Sequence, residues 1–265
     1  MKINRRHARL VRVAVDGDPQ WGIIEDEHVY ALDGNPFTTY KRGVEIGRLD
    51  SLQLLAPATP SKIICVGLNY PAHADEGNWE MPPEPLLFFK PPSSLIGPES
   101  PILMPPQAGR VDYEAELAVI VGRRCRNVAV GEAWDYVLGA TCGNDVTARD
   151  LQRRDTLWTR AKGFDTFCPL GPWLVTGLNA KDVADLTVVC RVNGKTRQRA
   201  RTSEMAFSPA EIIAYASSIM TLEPGDLFMT GTPAGVGPLV AGDVVEVEVE
   251  SIGMLRNPVK VQAHQ

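Results

Sequence analysis

The stretch Asp112-Tyr113-Glu114-Ala115-Glu116-Leu117-Ala118-Val119-Ile120-Val121-Gly122 decides how this chain folds. It reads as a single strand. Side chains two apart point the same way, so Glu114 and Glu116 share a face with Ala118 and Ile120. Residues 117–121 are apolar on both faces, the pattern of a strand entering a core. Two carboxylates at the mouth of such a strand repel each other. One reading leaves Asp112, Glu114 and Glu116 as a wet strand start, because spaced acids are a common accident. The other places a divalent cation between Glu114 and Glu116.

A second stretch, Gly143-Asn144-Asp145-Val146-Thr147-Ala148-Arg149-Asp150-Leu151-Gln152, follows a small-residue apolar run from Leu138. Asp145 reads either as the N-cap of a helix starting there or as a third acid brought to the first two. Lys162, in Ala161-Lys162-Gly163-Phe164-Asp165, is by itself a solvated loop lysine, although its small neighbours also allow a ligand to come close. A site built from these three acids offers only carboxylate oxygens, a donor set that suits Mg²⁺, with Mn²⁺ or Ca²⁺ as substitutes. Octahedral Mg²⁺ takes about six ligands, so three monodentate carboxylates leave roughly three positions, two of which a 2-oxo acid fills through carboxylate and keto oxygens. The surplus negative charge of three carboxylates on one dication is a charge that Lys162 can offset.

Asn69-Tyr70-Pro71-Ala72-His73-Ala74-Asp75-Glu76 follows a buried strand. In a helix, His73 and Glu76 face the same side, and a carboxylate behind an imidazole makes a general base. A surface histidine beside a glutamate is the competing reading. Zinc is excluded for want of a second histidine at a suitable spacing, since His28 and His264 lie in unrelated contexts. The glycine-rich segment from Met229 to Gly237 lacks the lysine of a phosphate-binding loop. Pro238 and Ala241-Gly242-Asp243 rule out the helix such a loop requires, so nucleotide binding is rejected. An ordinary tight turn and a loop that approaches a substrate carboxylate both remain open.

The chain has 265 residues, a net charge of −5 and no basic block, which argues against nucleic acid or an anionic membrane surface as partner. No run approaches the ~18 apolar residues of a membrane span. The basic start from Met1 to His7 leads into alternating Leu10, Val11, Val13 and Val15 rather than a leader core, so an untargeted, cytoplasmic protein is expected. Five cysteines, odd in number and without a C-x-x-C pair, read as reduced core thiols.

Residues 1–55 read as a small β unit, with strands over Arg9–Val15, Trp21–Glu25 and His28–Leu32. Ala56-Pro57-Ala58-Thr59-Pro60-Ser61 is a rigid connector, and residues 56–265 form the main body. Prolines crowded between Met81 and Pro106 forbid a long helix there. Ser208-Pro209-Ala210-Glu211 is a capping box that opens a helix with Ile212, Ile213, Ala216 and Ile219 on its apolar face. Val245, Val247 and Val249 alternate with Glu246, Glu248 and Glu250 as a half-buried strand. The class is α+β with a mainly β core.

In order along the chain stand Val66-Gly67-Leu68-Asn69-Tyr70 with His73 and Glu76, Phe88-Phe89-Lys90-Pro91, Ile96-Gly97-Pro98, Asp112-Tyr113-Glu114-Ala115-Glu116-Leu117, Asn144-Asp145-Val146-Thr147-Ala148-Arg149-Asp150 with Gln152, Lys162-Gly163-Phe164, and Thr230-Gly231-Thr232-Pro233. Together they resemble the fumarylacetoacetate hydrolase family. The resemblance implies a mixed β-sandwich roll, usually a homodimer, with a divalent ion held by the positions of Glu114, Glu116 and Asp145. It also implies that His73 and Glu76 activate water or move protons, that Lys162 lies beside the substrate, and that Arg149, Gln152 and Thr232 help hold it. Larger members carry a fourth acidic ligand ahead of the histidine, and none stands near Asn69. The chain is thus similar to the small bacterial and mitochondrial branch: acylpyruvate hydrolases, oxaloacetate decarboxylases and 2-hydroxyhepta-2,4-diene-1,7-dioate isomerases. The activity implied is metal-dependent enolate chemistry on a small-molecule 2-oxo acid or its enol, by isomerisation or C–C hydrolysis, with decarboxylation as the alternative. A non-catalytic, metal-stabilised binding protein is the alternative of another class. Residues 75–85, with Trp79 and Met81, are expected to form a lid.

Overall fold

The acidic stretch breaks at Glu114 in the computed structural model, which describes residues 7–263. Met1 to Arg6 and His264 therefore lie outside the described residues. Val111–Tyr113 joins a three-stranded sheet with Thr147–Ala148 and Gly237–Leu239. Ala115–Val121 instead lies inside a 12-stranded sheet, between Val137–Asn144 and Leu227–Met229. The one strand expected is two, because Glu114 leaves the ladder. Its N–H donates to the Asn144 side chain at 2.9 Å, and its carbonyl accepts from the Asp145 N–H at 2.9 Å. From Ala115 onward the alternation holds. Leu117, Val119 and Val121 enter the main core, while Ala118 and Ile120 enter a second one with Cys65, Leu170 and Met229. The wet strand start does not exist, since Asp112, Glu114 and Glu116 are all buried.

The large sheet reaches the site through Ile63–Gly67, which runs parallel to Leu227–Met229, and ends at the edge strand Leu86–Lys90. At its other end Ala8–Val15, Asp18–Glu25, His28–Gly34 and Tyr40–Arg48 form an antiparallel meander. Ala8–Val15 pairs with Cys168–Thr176, so the N-terminal strands continue the same sheet as the body. Tyr40–Arg48 escaped the sequence reading because it is a mostly exposed edge with two glycines and no clean alternation.

A five-stranded sheet packs its inner face on the same core. Its strands Lys195–Arg201, Thr187–Val192, Val244–Val249, Gly253–Val261 and Ile102–Met104 place Val188, Val245, Val247 and Val249 against Leu117 and Val119. This is the sandwich of a mainly β, α+β protein. As expected, Glu246, Glu248 and Glu250 point away from that core.

The α-helices are few and short: α1 (Pro71–Gly77), α2 (Arg149–Arg154), α3 (Thr159–Lys162) and α4 (Pro209–Ile219). Helix α4 carries the expected Ser208–Glu211 capping box and buries Ile212, Ile213 and Ala216, but Ile219 is exposed at its last turn. All five cysteines are buried and free. No helix among the described residues is long and apolar enough to cross a membrane.

Candidate active site

Register brings the three acids together. Ala115 lies opposite Asn144 and Glu116 opposite Gly143, so Asp145, one residue beyond the partner strand, falls beside Glu114 and Glu116. Ligand oxygens of the three lie within 4.8 Å of one another. Asp145 is not an N-cap, because helix α2 starts four residues later behind Ala148. Two glycines make room. A Cβ at Gly143 would stand 2.6 Å from the Met229 methyl, and one at Gly231 would stand 2.6 Å from the Asn69 Cβ. Gly231 also has φ +100°, which a side chain resists. Its N–H donates to Glu116 Oε2 at 2.8 Å, so the glycine-rich segment supplies a backbone donor to an acid. The Asn69 amide fixes that loop from below through the Thr230 carbonyl at 2.7 Å and the Phe207 backbone.

Four buried basic and acidic neighbours complete the cluster. Lys162 is no solvated lysine. At the end of α3 its ammonium donates to Glu114 Oε2 at 2.9 Å and Asp145 Oδ2 at 2.6 Å. Lys90, also fully buried, donates to Asp145 Oδ1 at 2.5 Å and to the Val146 carbonyl at 3.1 Å. Arg149 reaches Glu114 Oε1, Gln152 Oε1 at 2.6 Å and Asp112 Oδ2 at 2.9 Å. Asp112 is itself forked by Arg110 from the other side.

Burial opposes ionisation of Glu114, but Lys162 and Arg149 outweigh it and hold the carboxyl well below its ordinary range. Burial likewise opposes the charge on Lys162, and Asp145 and Glu114 overturn it, so the ammonium is held. Glu116 goes the other way. Burial, then the charges of Asp145 and Glu114, push it well above the usual carboxylate range. Among the described residues no basic side chain pairs with it. Three convergent hard-oxygen donors, one of them lacking a cation, fit a divalent metal ion held by Glu114, Glu116 and Asp145.

A narrow pocket opens on this cluster, lined among others by Glu114, Asp145, Lys162, His73, Trp158 and Phe88. Arg149, Gln152 and Thr232 line it too. The arginine is already engaged with three partners, and the Thr232 hydroxyl donates to the Ala115 carbonyl at 3.0 Å while accepting from Gln198 at 2.8 Å. Helix α1 does form, so His73 and Glu76 face each other, with Nδ1 and Oε2 3.3 Å apart. The Gly235 N–H anchors the Glu76 carboxylate at 3.1 Å, and Trp79 stands edge-on to the imidazole at 5.8 Å.

Sequence reasoning missed Lys90 and Asp112 as parts of the site. The available signal was a lysine closing the apolar run Leu86-Leu87-Phe88-Phe89 and an aspartate one residue before Tyr113, both inside strands.

The chain matches the family model for the fumarylacetoacetate hydrolase C-terminal region over residues 62–260 and an Rv2993c-like N-terminal model over residues 8–57. It is 54% identical over 201 residues to the uncharacterized protein MJ1656 of Methanocaldococcus jannaschii, covering 76% of this chain and 84% of that one. It is 46% identical to the mitochondrial oxaloacetate tautomerase fahd2 of Xenopus laevis over 79% of this chain and 69% of that protein. The crystal structure of 2-hydroxyhepta-2,4-diene-1,7-dioate isomerase from Mycobacterium marinum superposes with a TM-score of 0.88 at 43% identity, covering 97% of this chain and 100% of that chain. With the family model spanning most of the chain and its three acids drawn into one cluster, this protein belongs to the fumarylacetoacetate hydrolase family.

Proposed function

We propose that the chain is a divalent-metal-dependent isomerase of a 2-oxo acid or its enol, with Mg²⁺ as the ion and Mn²⁺ as an effective substitute. The observation that supports this most is a single pocket onto which two of the clustered carboxylates, the Lys162 ammonium and the buried His73 imidazole all open. The names of an isomerase and a tautomerase among similar proteins favour the same reaction class. A dication at Glu114, Glu116 and Asp145 supplies Lewis acidity towards the keto oxygen of the substrate.

The chain's own residues do the rest. His73 accepts a proton from the carbon next to the carbonyl, and the C–H electron pair becomes the C=C bond of the enolate. Glu76 holds the imidazole and stabilises its protonated form, as a carboxylate behind a general base does. Lys162 balances the charge that develops on oxygen. The proton then returns to oxygen, giving the enol, or to another carbon, giving the shifted double bond. Gln152 and Thr232, with Arg149, form the wall that holds the substrate, while Trp158 and Phe88, in edge contact at 5.2 Å, keep one side apolar.

The same dyad supports a second reading, C–C hydrolysis of an acylpyruvate, in which His73 takes the proton from water and hydroxide adds to the second carbonyl. The carbon–carbon bond then breaks to give a carboxylic acid and the pyruvate enolate. Assays of oxaloacetate, hydroxydienedioates and acylpyruvates with Mg²⁺ and Mn²⁺ decide between them, with decarboxylation scored in the oxaloacetate arm. Isomerisation is expected in the first two arms, and His73→Ala is expected to lower it by at least about 100-fold. Full activity in the His73→Ala variant would remove the dyad from the reaction.

A further inference from the structure

Each acid of the cluster turns one oxygen towards the space the three share. The other oxygen is tied off from outside, by Arg149 on Glu114 Oε1, Lys90 on Asp145 Oδ1 and the Gly231 N–H on Glu116 Oε2. The inward oxygens of Glu114 and Asp145 meet at one cationic group, the Lys162 ammonium. Glu116 Oε1 carries no hydrogen bond among the described residues.

The outer donors are themselves fixed. Lys90 is fully buried and makes its second bond to the Val146 carbonyl. Arg149 is held by Asp112 and Gln152, and the Gly231 amide belongs to a backbone position reserved for glycine. A donor on one carboxylate oxygen takes up one of its lone pairs and fixes its direction, which favours ligation of an ion through the other oxygen. Ca²⁺ takes six to eight oxygens and gathers them partly through bidentate carboxylates, whereas Mg²⁺ needs six in a tight octahedron and is satisfied by single contacts.

We propose that Lys90, with Arg149 as its counterpart on Glu114, sets which ion this site accepts. By tying off one oxygen of Asp145, Lys90 enforces monodentate ligation and selects Mg²⁺ or Mn²⁺ over Ca²⁺. It is a positioning residue that acts through Asp145. The inference rests on the metal-dependent reading above and is tested by binding, without turnover. Chelator-stripped protein is titrated calorimetrically with MgCl₂, MnCl₂ and CaCl₂. The wild-type protein is expected to bind Mg²⁺ and Mn²⁺ more tightly than Ca²⁺. Lys90→Met is expected to move the ratio of Ca²⁺ to Mg²⁺ affinity by about tenfold towards Ca²⁺. Lys90→Arg, which keeps a donor, is expected to hold the ratio near wild type.

Loss of one positive charge strengthens binding of every dication alike and leaves the ratio in place, so the ratio isolates the geometric role. Arg149→Met makes the same test on Glu114 where Lys90→Met does not fold. A wild-type ratio in either folded Met variant, or a wild-type protein that prefers Ca²⁺, overturns the proposal. Failure of the wild-type protein to bind any of the three ions would sink the metal-dependent reading itself.

Discussion

Glu116 differs from its two neighbours in having, among the described residues, no basic side chain of its own. Glu114 has Arg149 and Lys162, and Asp145 has Lys90 and Lys162. Burial and two nearby carboxylates then make ionised Glu116 unfavourable, and one backbone N–H does not compensate. The consequence for Glu116→Gln is a separation of effects. The amide oxygen keeps the bond from Gly231, and the buried charge problem is gone, so the melting temperature of the metal-free variant is expected to match or exceed wild type. Metal binding in calorimetry and every catalytic activity should be lost together. A variant that retains turnover with Mg²⁺ would show that Glu116 is not part of the metal site.

At the scale of elements, the site is made where regular structure stops. Glu114 lies in the gap between two strands of different sheets, and Asp145 follows the last residue of Val137–Asn144. Lys162 and Lys90 each end their element, and His73 sits in a helix of barely two turns. Backbone groups freed from ladders at such places become donors to side chains, as with the Glu114 N–H on Asn144 Oδ1 and the Gly231 N–H on Glu116 Oε2. Helix α4, by contrast, is built by local rules alone. Ser208 and Glu211 bond reciprocally at its start, and the Ser208 side chain is exposed. Ser208→Ala is therefore expected to cost about 1 kcal/mol in chemical denaturation with unchanged kcat. Loss of activity without loss of stability would contradict the purely structural role of this cap.

For the whole molecule, the cluster ties distant parts of the chain into one unit. Lys90, Glu114, Asp145 and Lys162 come from four separate stretches of the chain, and Gly231 brings in a fifth. An ion that binds only the folded arrangement stabilises all of it, by about 2.7 kcal/mol at a hundredfold excess over Kd. In differential scanning calorimetry, adding Mg²⁺ or Mn²⁺ to chelator-treated protein is expected to raise Tm by roughly 5–10 °C. The same chelator treatment is expected to abolish turnover reversibly. A chelated protein that loses Tm but keeps full activity would point to a structural ion and to a scaffold role for the acids.

The sequence by itself determined the mainly β class, the alternation of residues 115–121, the capped helix, and the candidate acids with their histidine and lysine. These follow from short-range periodicity, capping chemistry and the resemblance its motifs carry. Tertiary structure alone decided that the acidic stretch splits between two sheets, that Lys90 and Asp112 join the site, and that one oxygen of each carboxylate accepts from Arg149, Lys90 or the Gly231 N–H. The reason is physical: Lys90 meets Asp145 across 55 positions and Arg149 meets Asp112 across 37. No local pattern encodes which buried charge will find which partner once two sheets have packed.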